Sequence, residues 1–188
     1  MPGLRFLILG FLSLSLFAIS DIASAAAEDS HSLPQVSGTV QVDVPIEKVW
    51  SAIQARRNSD PTHRKLVSYD GKVAVVKEFF KKMPVIGDAT CTYAEQELLA
   101  QKTIIYKMVS SDHFKTFEGC WQLVPGAKPK TTMVTLSTTL DPGIRFPFWE
   151  HMARANMQKN LRENLDEVVA LAQLPVKAVS APPKMPKN

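Results

Sequence analysis

Residues 140–165 read LDPGIRFPFWEHMARANMQKNLRENL. Asp141-Pro142-Gly143 is a turn, and Pro147 suits a first helical turn, where no backbone hydrogen bond is lost. From there to Gln173 no glycine or proline interrupts the chain. Met157, Leu161, Leu165, Val168 and Ala172 recur at helical spacing, so the stretch is expected to form one long amphipathic helix with that stripe buried. Arg162 and Asp166, four residues apart, can pair on its outer face. A second stripe runs beside the apolar one: Trp149, Ala153, Asn156, Asn160 and Asn164. Asparagine is a poor helix former, so this stripe is either a set of groups that orient a ligand or a solvated flank. A helix of this length cannot bury its stripe alone, and the rest of the chain must supply an apolar face.

Working outward, that face is a sheet. Val36 to Val44 alternates apolar and polar residues without a fault, a half-buried strand. Pro45 ends it and opens a helix carrying Ile46, Val49, Trp50 and Ile53 on one face. Arg56 to Arg64 is polar and broken by Pro61, a turn or a short second helix. Six strands are expected next. Lys65–Tyr69 and Lys72–Phe80 flank Asp70-Gly71, a strong hairpin signal. Asp88–Leu98 and Thr103–Ser110 flank Ala100-Gln101-Lys102. Lys115–Val124 ends at Pro125-Gly126, and Thr131–Leu140 ends at Asp141-Pro142-Gly143. Strands at regular spacing with turns between them make an antiparallel meander. The expected fold is α+β, a helix-grip in which a seven-stranded curved antiparallel sheet wraps the long C-terminal helix.

The ends of the 188-residue chain read differently. Residues 1–27 have the build of a secretory signal peptide: Arg5, an apolar run from Phe6 to Ile19, and small-residue cleavage sites at Ala25 and Ala27. The run is shorter than the ~20 residues a spanning helix needs. No cysteine lies near those sites, which excludes a lipoprotein anchor. Residues 28–173 are expected to be one domain, and 174–188 a Pro- and Lys-rich disordered tail. The expected location is periplasmic or secreted. The net charge of +4 is spread along the chain, without the density or aromatic interleaving of a nucleic-acid binder.

Three stretches carry a family resemblance: VQVDVPIEKVWSAI (Val40–Ile53), GCWQLVPG (Gly119–Gly126) and the opening LDPGIRFPFWEHMARANMQKNLRENL. Together they resemble the START-like superfamily, which includes bacterial polyketide cyclase/dehydrase-type and coenzyme Q-binding-type proteins. The resemblance spans Val36 to Gln173. It implies a cavity between sheet and final helix that takes lipids, quinones or other apolar molecules, with catalysis a minority trait.

The residues add a site. Alternate turns of a meander lie at one end of the sheet, so 81–87, 111–115 and 141–146 share an end. Six of the nine phenylalanines lie at or beside these loops: Phe79, Phe80, Phe114, Phe117, Phe146 and Phe148. Met83, Val85, Ile86, Ile144 and Trp149 join them. Apolar density in loops, which are ordinarily polar, marks either a cavity mouth or a packed cap on the core, whose lysines keep the end soluble; the mouth is the expectation carried forward. Lys81, Lys82, Lys115 and Arg145 flank it, as at an end that rests transiently on an anionic membrane. Strand alternation turns Tyr106, Met108, Trp121, Leu136 and Thr138 inward. With Trp149, Ala153 and Asn156 these are the expected ligand-binding residues.

Cys91 is expected opposite Ser110 on the inner face and Cys120 opposite Lys107 on the outer one. Two strands apart is about 9.5 Å, beyond the about 7 Å a disulfide allows, so both thiols are expected free. No histidine pair has metal-ligand spacing, and neither a nucleophile elbow nor a phosphate loop is present. No cofactor and no catalytic set is therefore assigned. Glu78 and Glu95 lie within strands and are expected to face outward.

The leading expectation is an exported binding or transfer protein for an apolar small molecule. The alternatives are a cyclase- or hydrolase-type enzyme using Tyr106, Glu78 or His113 in the same cavity, and an interaction module with a filled core.

Overall fold

The computed structural model describes residues 33–174. The leader at 1–27 and all but the first residue of the tail at 174–188 lie outside them. Two α-helices and seven strands follow in the order β1 (Gln35–Val42), α1 (Ile46–Arg56), β2 (Arg64–Tyr69), β3 (Val73–Met83), β4 (Gly87–Leu98), β5 (Thr103–Ser111), β6 (Thr116–Pro125), β7 (Thr132–Asp141) and α2 (Trp149–Gln173), with one 3-10 turn at Leu99–Gln101 between β4 and β5. The sheet is antiparallel throughout, in the order β1-β7-β6-β5-β4-β3-β2. Each strand from β2 to β7 pairs with its sequence neighbours, and β1 joins the far edge beside β7. This is the helix-grip.

Turn chemistry fixes the meander. Asp70 Oδ1 accepts hydrogen bonds from the amides of Lys72 and Val73, and Gly71 takes the left-handed conformation the hairpin needs (φ 96°). At the end of β7 the amide of Gly143 donates to Asp141 Oδ1 (2.8 Å). Arg145 grips both oxygens of the same carboxylate (2.8 and 3.1 Å), and its guanidinium lies 4.1 Å from the Trp149 ring centre. That clamp aims the chain into α2.

The helix buries Met157, Leu161, Leu165, Val168 and Ala172, the stripe its spacing predicts. It comes close because β1 carries Gly38, where a Cβ would overlap Leu161 Cδ2. The stripe shares one core cluster with Val36, Val134 and Leu136, and burial contributes about 1.5–3 kcal/mol for each large side chain.

Several expectations need correction. The last helix begins at Trp149, not Pro147, because Phe148 adopts a left-handed conformation (φ 68°) that no helix continues. The ion pair on its outer face is Lys159–Glu163; none joins Arg162 to Asp166 among the described residues. Of the two alternatives for 56–64 the turn holds, over residues 57–63 between α1 and β2. Cys91 lies opposite Ser111, since the β4–β5 ladder shifts between Thr92 and Tyr93, and Cys120 lies opposite Ile105. The face assignments survive these slips, and both cysteines are free.

Candidate ligand cavity

The inner face of the sheet is built row by row from the register. One row runs Ala74, Glu95, Tyr106, Gly119, Thr138, Val36. Glycine at its centre has a purpose: a Cβ on Gly119 would overlap the Ser137 carbonyl and the Tyr106 phenol. Tyr106 therefore lies across β6, and its hydroxyl donates to Ser137 O (3.0 Å) and pairs with Thr138 Oγ1 (2.6 Å). Where α2 crosses this face a cavity of about 40 Å³ remains. An aromatic group forms one wall, with Tyr93, Tyr106 and Phe80 each 5.3–5.8 Å from the Phe117 ring. Trp121, Leu136, Leu140, Met157 and Leu161 complete the apolar lining. A water needs roughly 10–15 Å³ on this measure, so the space as it stands suits a few waters.

The far end of the cavity is ionic. Arg56, Glu78, Glu95, Asn160 and Asn164 line it. Glu78 accepts from Arg64 Nη2 (3.0 Å) and from the Tyr93 hydroxyl (2.8 Å). Arg56 donates to Glu167 (3.1 Å) and to Asn164. Arg57 meets Glu95 and Glu97, each at 2.6 Å. These arginines and Glu78, Glu95 and Glu97 are almost wholly inside the protein. Burial alone would push the Glu78 carboxyl up; Arg64, Arg56 and the Tyr93 hydrogen bond outweigh it and hold it below its ordinary range. Burial and the neighbouring Glu78 push the Tyr93 phenol up, and burial does the same for Tyr106, so both stay neutral.

The outward placement expected for Glu78 and Glu95 is therefore overturned. The alternation places them on the inner face with Ala74 and Val76, and with Cys91 and Tyr93. What makes that affordable is the trio Arg56, Arg57 and Arg64, delivered by the last turn of α1, its C-cap and the first residue of β2.

A second chamber of about 30 Å³ lies toward the loop end, lined by Met83, Val85, Ile86, Ile144, Phe146 and Trp149, and by Ala153 and Asn156 from α2. Met83 and Leu140 belong to both linings and stand between the two spaces.

The sequence profile of the family described as polyketide cyclase/dehydrase and lipid transport matches residues 34–173. The chain belongs to that family. No curated protein matches it. Solved structures share the fold at low identity. The Zhui aromatase/cyclase from Streptomyces sp. R1128 aligns with TM-score 0.62 and 17% identity, over 74% of this chain and 93% of that one. A Thermus thermophilus protein gives 0.58 and 18%, over 79% and 100%. A START superfamily protein from Mycobacterium smegmatis gives 0.55 and 17%, over 72% and 97%.

Within this polyketide cyclase/dehydrase-family cavity, the residues expected from sequence divide. Tyr106, Trp121, Leu136 and Thr138 line the inner space. Met108 faces inward but packs on the core outside that lining. Trp149, Ala153 and Asn156 line the outer chamber, whereas Asn160 and Asn164, one and two turns further on, reach the inner one. Of the mouth residues, Met83, Val85, Ile86 and Phe146 line the outer chamber. Phe80 turns into the inner one, and Phe114 is buried against it, ring to ring at 5.2 Å. Phe79 points to the other face of β3, under Lys77, and borders a shallow open depression with Lys81. Val85 and Phe148 stand 64% and 83% exposed at the loop tips, beside exposed Lys81, Lys82, Lys115 and Arg145. His113 is exposed and lines neither chamber. The ionic end was missed from sequence, although the arginines crowded into residues 56–64 signal a need for buried partners.

Proposed function

We propose that the protein is an exported binding or transfer protein for an apolar small molecule, a lipid, quinone or similar compound, held between the sheet and α2. The observation that carries this reading is the pair of neighbouring chambers, one toward the loop end and one reaching the ionic floor, whose linings share Met83 and Leu140. A ligand needs more room than either chamber provides, and these two flexible side chains are the ones that can yield it. Methionine adapts readily to such demands. Family membership supports the same reading, and the signal-peptide pattern of residues 1–27 supports export.

Entry from a membrane surface fits the loop end. Val85 and Phe148 are large, apolar and exposed, and both are held at positive φ (72° and 68°). Strain of about 1–3 kcal/mol at each is worth keeping where the tips have work to do. Three lysines flank them, each able to add about 1 kcal/mol at an anionic surface.

The buried carboxylates favour one second reading, a cyclase-type enzyme. Its candidate groups are poorly poised: the Tyr106 hydroxyl is already bonded twice, and Glu78 is held ionised between arginines.

The test is native mass spectrometry of the protein purified from its own compartment, followed by organic extraction. A stoichiometric apolar adduct is the expected result. A clean apo mass that persists after incubation with lipid and quinone mixtures overturns the reading.

A further inference from the structure

The ionic end of the inner cavity is unbalanced. Three guanidinium groups, Arg56, Arg57 and Arg64, face four carboxylates, Glu78, Glu95, Glu97 and Glu167. Among the groups that line the cavity itself the imbalance is two carboxylates to one guanidinium. That guanidinium, on Arg56, is already committed to Glu167 and Asn164.

The carboxylates are not equally satisfied. Glu78 receives Arg64 and Tyr93. Glu97 receives Gln54 on both oxygens, Tyr69 and Arg57. Glu95 is only 1% exposed, yet it accepts a single hydrogen bond, from Arg57 Nε (2.6 Å), among the described residues. A carboxylate has about four acceptor positions, and a buried one with most of them empty is costly. The side chain of Asn160, also in the lining, makes no hydrogen bond among the described residues, and its amide can donate or accept. Two donors of the cluster, Arg57 Nη2 and Arg64 Nε, are buried without a partner among the described residues, but neither arginine lines the cavity. The lining itself presents unused acceptor capacity, one amide and a surplus of negative charge.

We propose that Glu95 is the recognition group of this cavity, and that it selects an apolar molecule whose polar end is a neutral or cationic hydrogen-bond donor, a hydroxyl or an amine, while rejecting a carboxylate. The proposal rests on the reading that the cavity holds an apolar ligand. The donor displaces cavity water and bonds to Glu95, Asn160 takes the remaining lone pair or proton, and the apolar body extends past Met83 and Leu140 into the outer chamber.

Three probes with one eight-carbon chain test it: 1-octanol, 1-methoxyoctane and octanoate, titrated calorimetrically into the full chain below their aggregation limits. A hydrogen bond to a charged acceptor corresponds to roughly a tenfold or greater difference in affinity. Octanol is therefore expected to bind at least tenfold more tightly than its methyl ether, and octanoate more weakly than either. Glu95→Gln, which keeps the shape and one oxygen for Arg57, is expected to erase most of the octanol preference and to admit octanoate. Glu97→Gln removes the other carboxylate on Arg57, which lies outside the cavity lining, and is expected to leave the preference intact. Equal binding of octanol and ether, or octanoate binding best, overturns the proposal while leaving an apolar cavity in place. Loss of the preference in both variants also overturns it, since that is the mark of a structural network. If no probe binds wild type, the apolar-ligand reading fails with it. Should Glu95→Gln fail to fold, the ranking of the three probes on wild type still decides.

Discussion

Glu78 stands between Arg64 and Arg56 with the Tyr93 phenol on its second oxygen. Removing its charge leaves Arg64 and Arg56 sharing Glu167 as their remaining carboxylate, a loss of about 3 kcal/mol. Glu78→Gln is expected to show that loss in urea denaturation at pH 7. The sign of the pH effect follows from the lowered carboxyl. Its stabilisation is complete above the unfolded value near 4.5 and drains away as the pH falls through the lower folded value. The gap between wild type and variant should therefore close on acidification; a gap that stays constant from pH 7 to pH 3 rules the ion cluster out as its source. Cys91 lies on the same inner face, its thiol pushed up to about 12 by burial first and by Glu78 second. It is expected to resist alkylation at pH 8 in the folded protein. Residue chemistry was the least legible level in the sequence. Alternation placed Glu78 and Glu95 on the same faces as Val76 and Tyr93, but a charge argues for water until its counter-charges are located, and these arrive from α1 and β2.

Two glycines decide how the elements pack, and they differ in what they touch. A Cβ on Gly119 meets backbone at Ser137 and a phenol fixed by two hydrogen bonds. A Cβ on Gly38 meets the end of Leu161, a flexible side chain. Gly119→Ala is expected to cost roughly 3 kcal/mol and Gly38→Ala roughly 1, read from denaturant midpoints at constant slope. Equal costs would mean that the sheet relaxes where the register says it is fixed. The turn at Val85 gives a prediction of opposite sign. A β-branched residue at positive φ is strained, so Val85→Gly is expected to hold or raise stability by up to about 1 kcal/mol, against the usual loss from introducing glycine. Most elements were legible. Alternation gave β1, Asp70-Gly71 gave the first hairpin, and the apolar stripe of α2 was correct residue for residue. What failed was local: one ladder shift moved Cys91 by a place, and Phe148 delayed the helix by two, because φ at a single residue leaves no trace in a hydrophobic pattern.

For the whole molecule, the order of layers followed from the sequence, and the volume between them did not. A cavity is a small difference between two packed surfaces, set by side-chain lengths on both, and no pattern of spacing reports it. The division of that volume is open to test. Met83 is 8% exposed and stands between the chambers. Met83→Ala should lower stability by about 2 kcal/mol and speed the uptake of a fluorescent apolar probe in stopped flow. A slower or unchanged uptake would mean that ligands enter elsewhere.

The strand order has a consequence for the chain's earliest minutes. β1 is the first strand made, yet among the described residues its one partner strand is β7, with Val42 set against Thr132. The hairpins from β2 to β7 can form as they appear, each from near neighbours, but closing the edge means bringing together residues far apart in sequence, the slow kind of step. Until the last strand emerges, the N-terminal segment has no place in the sheet, and Gly38 has no helix to receive.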